Sequence, residues 1–227
     1  MILKEFDLDL PYVGSSKEDY ELNWKSRRMQ FRDEVRCVAS MFERLFKPYK
    51  FKTLYTWKIL IECYNDISLI RNLNISSDIY TIAIKFDVIG YFGSDNNRKK
   101  QIIFDSLKEG LETLLKIELD WDRMPFEEVL KTMQEKELLN TYLWGKTTNS
   151  SRTYSAAISC EHEIDGLTIN LIVYNKKQGI IYHKHILTEK PNEWDYTQHF
   201  GTLYWESKNE IVLKNKQGIE LIRKTIE

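Results

Sequence analysis

The order of apolar and polar residues along the chain predicts that it begins with a strand and continues into a helix. Residues 2–10 alternate between the two classes of side chain, and a period of two is typical of a half-buried strand. The apolar residues that follow recur at steps of four and three, which is the period of one helix face: Phe31, Val35, Val38, Phe42 and Leu45. We therefore expect a helix near residues 18–47, which Pro48 ends.

Two more strands are expected after this helix. Apolar residues alternate with polar ones over residues 51–63 and again over residues 80–88, as in strands that bury one face. The connection between them, Asn65–Ser77, shows neither a helical nor a strand period, and we interpret it as irregular. The early part of the chain thus contributes three predicted strands.

Two long helices complete this first part. One is expected near residues 95–117, where the Ser94-Asp95 pair can cap the first turn. The other is expected near residues 125–144, because Pro125 suits a first helical position and Gly145 can end a helix. The first part therefore combines strands with three longer helices.

The remainder of the chain has the pattern of β structure. Residues 146–153 are polar and without a period, and they mark the best boundary in the chain. Beyond them, residues 154–227 predict an antiparallel β-meander of about six strands. The fold class is therefore α+β, with an α+β part over residues 1–145 followed by the meander. The sequence leaves open whether the two parts form one continuous domain.

The turns of the meander are predicted from residues that tolerate tight backbone conformations. Asp165 and Gly166 predict a two-residue hairpin turn, which would set Cys160 opposite Leu171. The string Lys-Gln-Gly-Ile occurs twice, and in each copy the glycine can supply the positive φ of a turn. Further turns are accordingly expected at residues 175–179, 207–209 and 215–218.

Composition narrows the class of protein. The 227 residues are 42% hydrophobic and 30% charged with a net charge of -1, which favours a globular core and disfavours a globally basic nucleic-acid binder. The three cysteines are widely spaced, so no disulfide framework is indicated. The charged N-terminal residues do not resemble a signal peptide, and no apolar run is long enough for a membrane span. We therefore expect a soluble, cytoplasmic protein with no membrane partner.

Charge is distributed unevenly along the chain. Segment 25–52 holds nine Lys or Arg against three acidic residues, and Arg28, Arg32 and Arg36 are spaced by four. This stripe suggests anion or nucleic-acid binding, although nucleic acid is disfavoured because no aromatic residues share the stripe. Solvated helix faces are the commoner origin of such patterns.

An acidic segment provides the second charged candidate. Residues 105–137 hold ten acidic residues against five basic ones. Such a face favours a basic protein partner, and the candidate contact residues are Asp120, Asp122, Glu127 and Glu128. A solvated surface would again produce the same pattern.

Histidines in the meander suggest a metal site. His183 and His185 are two apart, so they project from the same face of a strand, and Cys160 and His162 have the same spacing nearby. Such a set could bind Zn²⁺ or Fe²⁺, but an ordinary amphipathic strand with partly exposed histidines is the stronger interpretation. No nucleophile motif or phosphate loop is present, so we expect no cofactor and disfavour an enzyme.

Aromatic residues crowd a loop-like stretch between two β segments. Residues 191–200 include Trp194, Tyr196 and Phe200. Exposed, these side chains would form a recognition tip for a partner; folded back, they would close the end of the meander. The sequence leaves both arrangements open.

Taken together, these patterns favour a cytoplasmic protein that binds another protein and inhibits or shields it by steric occlusion. In size, acidity and aromatic content the chain is similar in character to bacterial binding proteins such as toxin-immunity proteins, although no motif identifies a family. Abundant Lys, Ile and Asn are compatible with an AT-rich bacterial genome. The alternatives are a metal-binding enzyme or sensor that uses the His-x-His strand, and anion or nucleic-acid binding along the arginine stripe.

Overall fold

The chain folds into two compact units, Met1–Leu139 and Asn140–Glu227. The computed structural model describes residues 1–66 and 74–226. As predicted, the fold is α+β, with a largely parallel sheet and long helices in the first unit and antiparallel sheets in the second. Most of the stretch expected to be irregular, residues 67–73, lies outside the described residues.

The described residues of the first unit form a sheet of four strands. They are β1 (Glu5–Asp9), β2 (Lys58–Tyr64), β3 (Asn74–Ser76) and β4 (Ile79–Lys85). The order across the sheet is β1-β2-β4-β3, in which β1, β2 and β4 run parallel and β3 pairs antiparallel with β4. The predicted alternation holds in β2, where Ile59, Ile61 and Cys63 are buried. The strand expected from residue 51 begins only at Lys58, so residues 51–57 form a loop with a single bridge at Lys52.

The first predicted helix is built from several consecutive segments. They are α1 (Lys17–Asp19), a π-helical turn (Tyr20–Trp24), α2 (Lys25–Glu34), α3 (Arg36–Phe46) and a 3₁₀ turn that contains Pro48 (Lys47–Tyr49). Of the residues predicted to form its apolar face, Phe31, Val35, Val38 and Phe42 are fully buried, whereas Leu45 is half-buried. The helical period therefore identified the buried face although the helix is interrupted.

The second predicted helix matches the structure closely. After the short α4 (Val88–Phe92), α5 spans Asn96–Ile117, and Asp95 caps it by accepting a hydrogen bond from the Arg98 amide. Ile103, Leu107, Leu111 and Leu114 lie on its buried face. Within the described ranges, no helix combines the length and apolar character that a membrane crossing requires.

The third helix is shorter than predicted. α6 spans Met124–Glu135, so the expected continuation to residue 144 is wrong. The amide of Leu138 donates to the Met133 carbonyl (3.0 Å) and that of Glu137 to the Gln134 carbonyl (2.8 Å), which is a Schellman C-cap. Glu137 occupies the left-handed cap position (φ 51°), where glycine is usual, and the sequence therefore lacks the expected stop signal.

The second unit begins at Asn140, and its described residues form seven strands. They are β5 (Asn140–Thr148), β6 (Tyr154–His162), β7 (Leu167–Asn175), β8 (Gly179–Glu189), β9 (Thr202–Trp205), β10 (Glu210–Lys214) and β11 (Glu220–Thr225). Two antiparallel sheets result, ordered β5-β6-β7-β8 and β11-β10-β9. Gly145, expected to end a helix, instead lies in β5 with φ 66° where the register with β6 shifts, as in a β-bulge.

The hairpin between β6 and β7 differs from its predicted register by two residues. Cys160 pairs with Ile169, not with Leu171, and His162 pairs with Leu167. The loop has four residues and closes through a hydrogen bond from the Glu163 amide to the Gly166 carbonyl (2.8 Å). Because side chains alternate with a period of two, a slip of two leaves the apolar face unchanged.

That face forms the core of the second unit. Buried apolar side chains from both sheets meet there, among them Ile158, Leu171, Val173 and Leu213. The predicted turns at residues 175–179, 207–209 and 215–218 are present, and Gly179 and Gly218 have φ values of 79° and 81°. Turn chemistry therefore identified the strand connections of this unit.

Candidate functional site

A cleft of about 760 Å³ opens on the first unit. Its walls are residues 1–2, residues 52–55 and three side chains that follow α5: Glu118, Asp120 and Trp121. The first two walls are held together because the Leu3 amide donates to the Phe51 carbonyl and the Thr53 amide to the Met1 carbonyl, both at 2.9 Å. This volume lies in the range of pockets that bind small molecules.

Trp121 fixes the wall that follows α5. Its ring stacks on Phe126 (centroids 6.2 Å apart, 16° between planes) and meets the edge of Phe51 (5.3 Å). Phe126 is fully buried and Trp121 is half-buried. The loop after α5 is therefore anchored in the aromatic core, and it presents one side of Trp121 towards the cleft.

A carboxylate lies inside the cleft and accepts hydrogen bonds from tyrosine. The Tyr55 hydroxyl donates to Glu118 Oε1. Burial, and then the hydrogen bond to Glu118, raise the pKa of Tyr55 to about 12, and the same two causes raise the pKa of Tyr80 to about 12. Both phenols are therefore neutral donors at physiological pH, and they restrain the position of the Glu118 carboxylate.

The mouth of the cleft carries exposed apolar side chains. Leu54 lines the cleft and is 92% exposed, and Leu119, which lies between the lining residues Glu118 and Asp120, is 83% exposed. Large aliphatic side chains are more commonly buried. Leu119 is flanked in sequence by Glu118 and Asp120. Apolar and acidic groups thus alternate at the mouth, and this combination is found where protein partners bind.

The predicted acidic residues lie on this loop and in the first two turns of α6. Asp120, Asp122, Glu127 and Glu128 are all exposed. Asp122 accepts a hydrogen bond from the Met124 amide (3.0 Å) at the start of α6. Glu128 accepts one from the Tyr49 hydroxyl (2.7 Å), and Glu127 lies 3.5 Å from Arg123. The four carboxylates therefore belong to one continuous segment that begins at the cleft.

The predicted aromatic loop, in the second unit, divides between the two arrangements that the sequence left open. It contains α7 (Glu193–Tyr196), and Trp194 on this helix is 90% exposed. Tyr196 is buried with its ring 5.6 Å from that of His162, and Phe200 stacks on Trp144 at 5.0 Å. Tyr196 and Phe200 thus close the core, and Trp194 projects into solvent.

Two of the three stripe arginines make internal ion pairs. Arg28 makes a two-point contact with Asp9 at the end of β1. Arg36 donates to Glu43 (2.9 Å) and to the Phe6 carbonyl (3.2 Å). Arg32 is exposed. Because the carboxylates neutralise much of the stripe, its geometry does not support an extended anion-binding surface.

The predicted metal ligands lie on opposite faces of a sheet. His183 and His185 are exposed on the face away from the core, paired with Ile172 and Asn170. Cys160 and His162 are fully buried, and His162 Nε2 lies 2.8 Å from the Pro191 carbonyl oxygen. The four side chains therefore do not converge. Among the described residues, no group of three or more His, Cys, Asp or Glu could hold a metal ion.

Sequence reasoning identified Asp120 but missed Leu54, Tyr55, Glu118 and Trp121 as site residues. The alternation over residues 51–63 assigned Tyr55 to a strand, and a strand there would have left no cleft. The available signal was Leu119, an apolar residue between two acidic ones just beyond the predicted end of the helix near residues 95–117.

Comparisons of the chain with protein-family models, with curated proteins and with solved structures find no match. Its function must therefore be argued from the geometry of the site.

Proposed function

We propose that the chain is a cytoplasmic binding protein that inhibits or shields another protein by steric occlusion, in the manner of an immunity protein. The partner is engaged by the cleft and its mouth, and the contacting surface of the partner is basic. The observation that carries this proposal is the pair of almost fully exposed leucines, Leu54 and Leu119, beside a cleft lined by carboxylates.

The arrangement matches the physical demands of a protein interface. Exposed leucines gain free energy when a partner removes them from water, about 25 cal/mol per Å² of apolar surface. Polar and charged groups around such a centre provide specificity. Here the charged groups are the exposed carboxylates of Asp120, Asp122, Glu127 and Glu128.

The sign of the charge determines the kind of partner. Segment 105–137 has ten acidic against five basic residues, and complementary charge accelerates the encounter between two proteins. A partner with a basic contact surface is therefore favoured over an acidic one. Trp194, in the second unit, is a candidate for an additional contact because it is exposed.

The proposal is tested by immobilising the full chain, capturing partners from its native cytoplasm and repeating the capture with an L54A/L119A variant. We expect one stoichiometric partner with a basic surface, whose affinity falls roughly 30-fold in the variant, corresponding to about 2 kcal/mol. Leu22, which is 72% exposed, supplies the control L22A, which should bind like the original chain. Equal binding by L54A/L119A, or no stoichiometric partner, would contradict the proposal.

A second variant tests the acidic segment. Charge reversal in E127K/E128K should slow association with the captured partner, most strongly at low ionic strength, because surface charges are screened by salt. Glu128 also accepts a hydrogen bond from Tyr49, so Y49F controls for the loss of that contact alone. An association rate unchanged by the double reversal would remove this segment from the interface.

A further inference from the structure

The cleft lies where several sources of negative charge meet. Helix α5, of 22 residues, ends there, and Glu118 is its C-terminal cap residue. The C-terminal end of a helix carries a partial negative charge of roughly half an electron. The carboxylates of Glu118 and Asp120 add to it in the same wall. A carboxylate at this end of a helix is unfavourable by itself, so the site favours a bound cation.

Positive groups are also present in the cleft. Lys52 lines it and is exposed, and the Met1 amino group donates to the Thr53 carbonyl. In the described part of the chain neither group forms an ion pair with Glu118, which accepts a hydrogen bond from Tyr55. The phenol donates a neutral hydrogen bond, so it positions the Glu118 carboxylate without neutralising it. A carboxylate offers about four acceptor positions, which leaves capacity for a further donor.

Aromatic rings complete the site. Trp121 and Tyr55 line the cleft beside the two carboxylates. Trp121 is held by stacking on Phe126, so its ring is preorganised. A guanidinium stacks on aromatic faces and binds carboxylates through two parallel hydrogen bonds, and an ammonium lacks this planar fork.

We infer that the cleft receives an arginine side chain of the partner, with its guanidinium paired to Glu118 and Asp120 and stacked on Trp121. This inference rests on the proposed function, because it supplies the partner residue that the cleft recognises. The exposed leucines at the mouth cover the apolar stem of the arginine and the residues next to it.

The probe is Nα-acetyl-arginine amide, titrated into the full chain while the Trp121 indole and the Glu118–Trp121 amides are followed by NMR. We expect saturable shifts at these positions with a dissociation constant in the millimolar range. The citrulline analogue has the same shape without the charge and should bind at least about tenfold more weakly, and the lysine analogue should also bind more weakly.

Two variants test whether arginine binding depends on the charge of Glu118. E118Q retains an acceptor for Tyr55 but removes the charge, and it should weaken arginine binding at least about tenfold. E135Q neutralises another exposed carboxylate, on α6, and should leave binding unchanged. Shifts that are equal for arginine and citrulline, or insensitive to E118Q, would overturn the inference.

The two proposals fail in distinguishable ways. If a captured partner depends on Leu54 and Leu119 but the arginine probe does not bind, this inference is wrong and the proposed function stands. If the probe binds through Glu118 but no protein partner is captured, the arginine site stands and the proposed function is wrong.

Discussion

The two units of the protein differ in where their charged residues lie. In the first unit Glu34 and Lys99 are buried and paired at 2.8 Å, and Tyr91, also buried, donates to Glu34 (2.7 Å). Among the described residues of the second unit, the buried polar side chains are three asparagines and a histidine, and the ion pairs of Arg223 with Glu206, Glu210 and Glu220 lie at the surface. A count of charges along a sequence therefore does not indicate how many are available to a partner.

The arginine stripe illustrates the point. Its spacing of four suggested a cationic face, but Arg28 and Arg36 point to carboxylates at Asp9 and Glu43. The acidic segment that begins at Glu118 is different, since its predicted contact residues stay exposed. The comparison thus favours the acidic segment over the stripe as the surface that meets a partner.

The largest effect should come from breaking the buried pair of the first unit. Glu34→Ala leaves Lys99 buried without its carboxylate, so we expect a loss of about 3–5 kcal/mol in the free energy of unfolding of this unit. Denaturant unfolding combined with hydrogen exchange resolves the unit that is affected. Arg223→Ala, at the surface of the second unit, is the matched control and should have a much smaller effect. Equal losses would contradict the contrast between the units.

An intermediate effect is expected at alkaline pH in the first unit. The pKa values of Tyr55 and Tyr80 are raised to about 12 from 10.0, chiefly by burial and then by Glu118. Folding therefore favours the neutral phenols, and the stability they contribute is complete below pH 10 and lost as the pH rises towards 12. Ultraviolet absorbance of tyrosinate should show Tyr55 and Tyr80 among the late-titrating phenols, together with Tyr91, whose pKa is raised by burial and by its hydrogen bond to Glu34.

The variant E118Q separates the effect of burial on the pKa of Tyr55 and Tyr80 from the effect of the Glu118 carboxylate. Because burial remains when the charge is removed, the pKa of both tyrosines should fall only part of the way towards 10. Y55F should remove one late-titrating phenol. Titration of all tyrosines near pH 10 in the unmodified protein would show that the cleft does not restrain these hydroxyls.

The smallest effect concerns the cap of α6 and compares left-handed positions in the two units. Glu137 has φ 51° and Gly179 has φ 79°. Glu137→Gly should stabilise the first unit by about 0.5–1 kcal/mol, since glycine adopts this conformation without strain. Gly179→Ala should destabilise the second unit by about 1 kcal/mol. Thermal unfolding of both variants tests whether the two changes in stability have opposite signs. A loss of stability in Glu137→Gly would contradict the expectation.

Local patterns predicted most of the fold. The face carrying Phe31 and Phe42, the limits of α5 and the turns at Gly179 and Gly218 all follow from periodicity or turn chemistry within a few residues. The errors also have local causes. Glu137 occupies the left-handed cap position where glycine is usual, so the sequence does not indicate where α6 ends. The four-residue loop before Leu167 was mistaken for a two-residue turn, because a slip of two conserves the buried face.

The candidate site was far less predictable. The acidic residues were found because charge is visible in sequence, but the cleft joins the segment around Tyr55 to the one around Glu118, 63 positions later. The arrangement of the histidines also depends on residues that are distant in sequence. The pairing of β6, β7 and β8 places His183 and His162 on opposite faces of the sheet.

By itself, the sequence determined the α+β class, the buried faces and most of the turns, because these depend on contacts within one or two turns of backbone. Only the tertiary structure decided which charges are compensated, which aromatic side chains are exposed and where a cleft opens. These features depend on residues that are distant in sequence and are brought together by packing. In the low dielectric of the packed interior, a buried charge or polar group costs much free energy unless it has a partner.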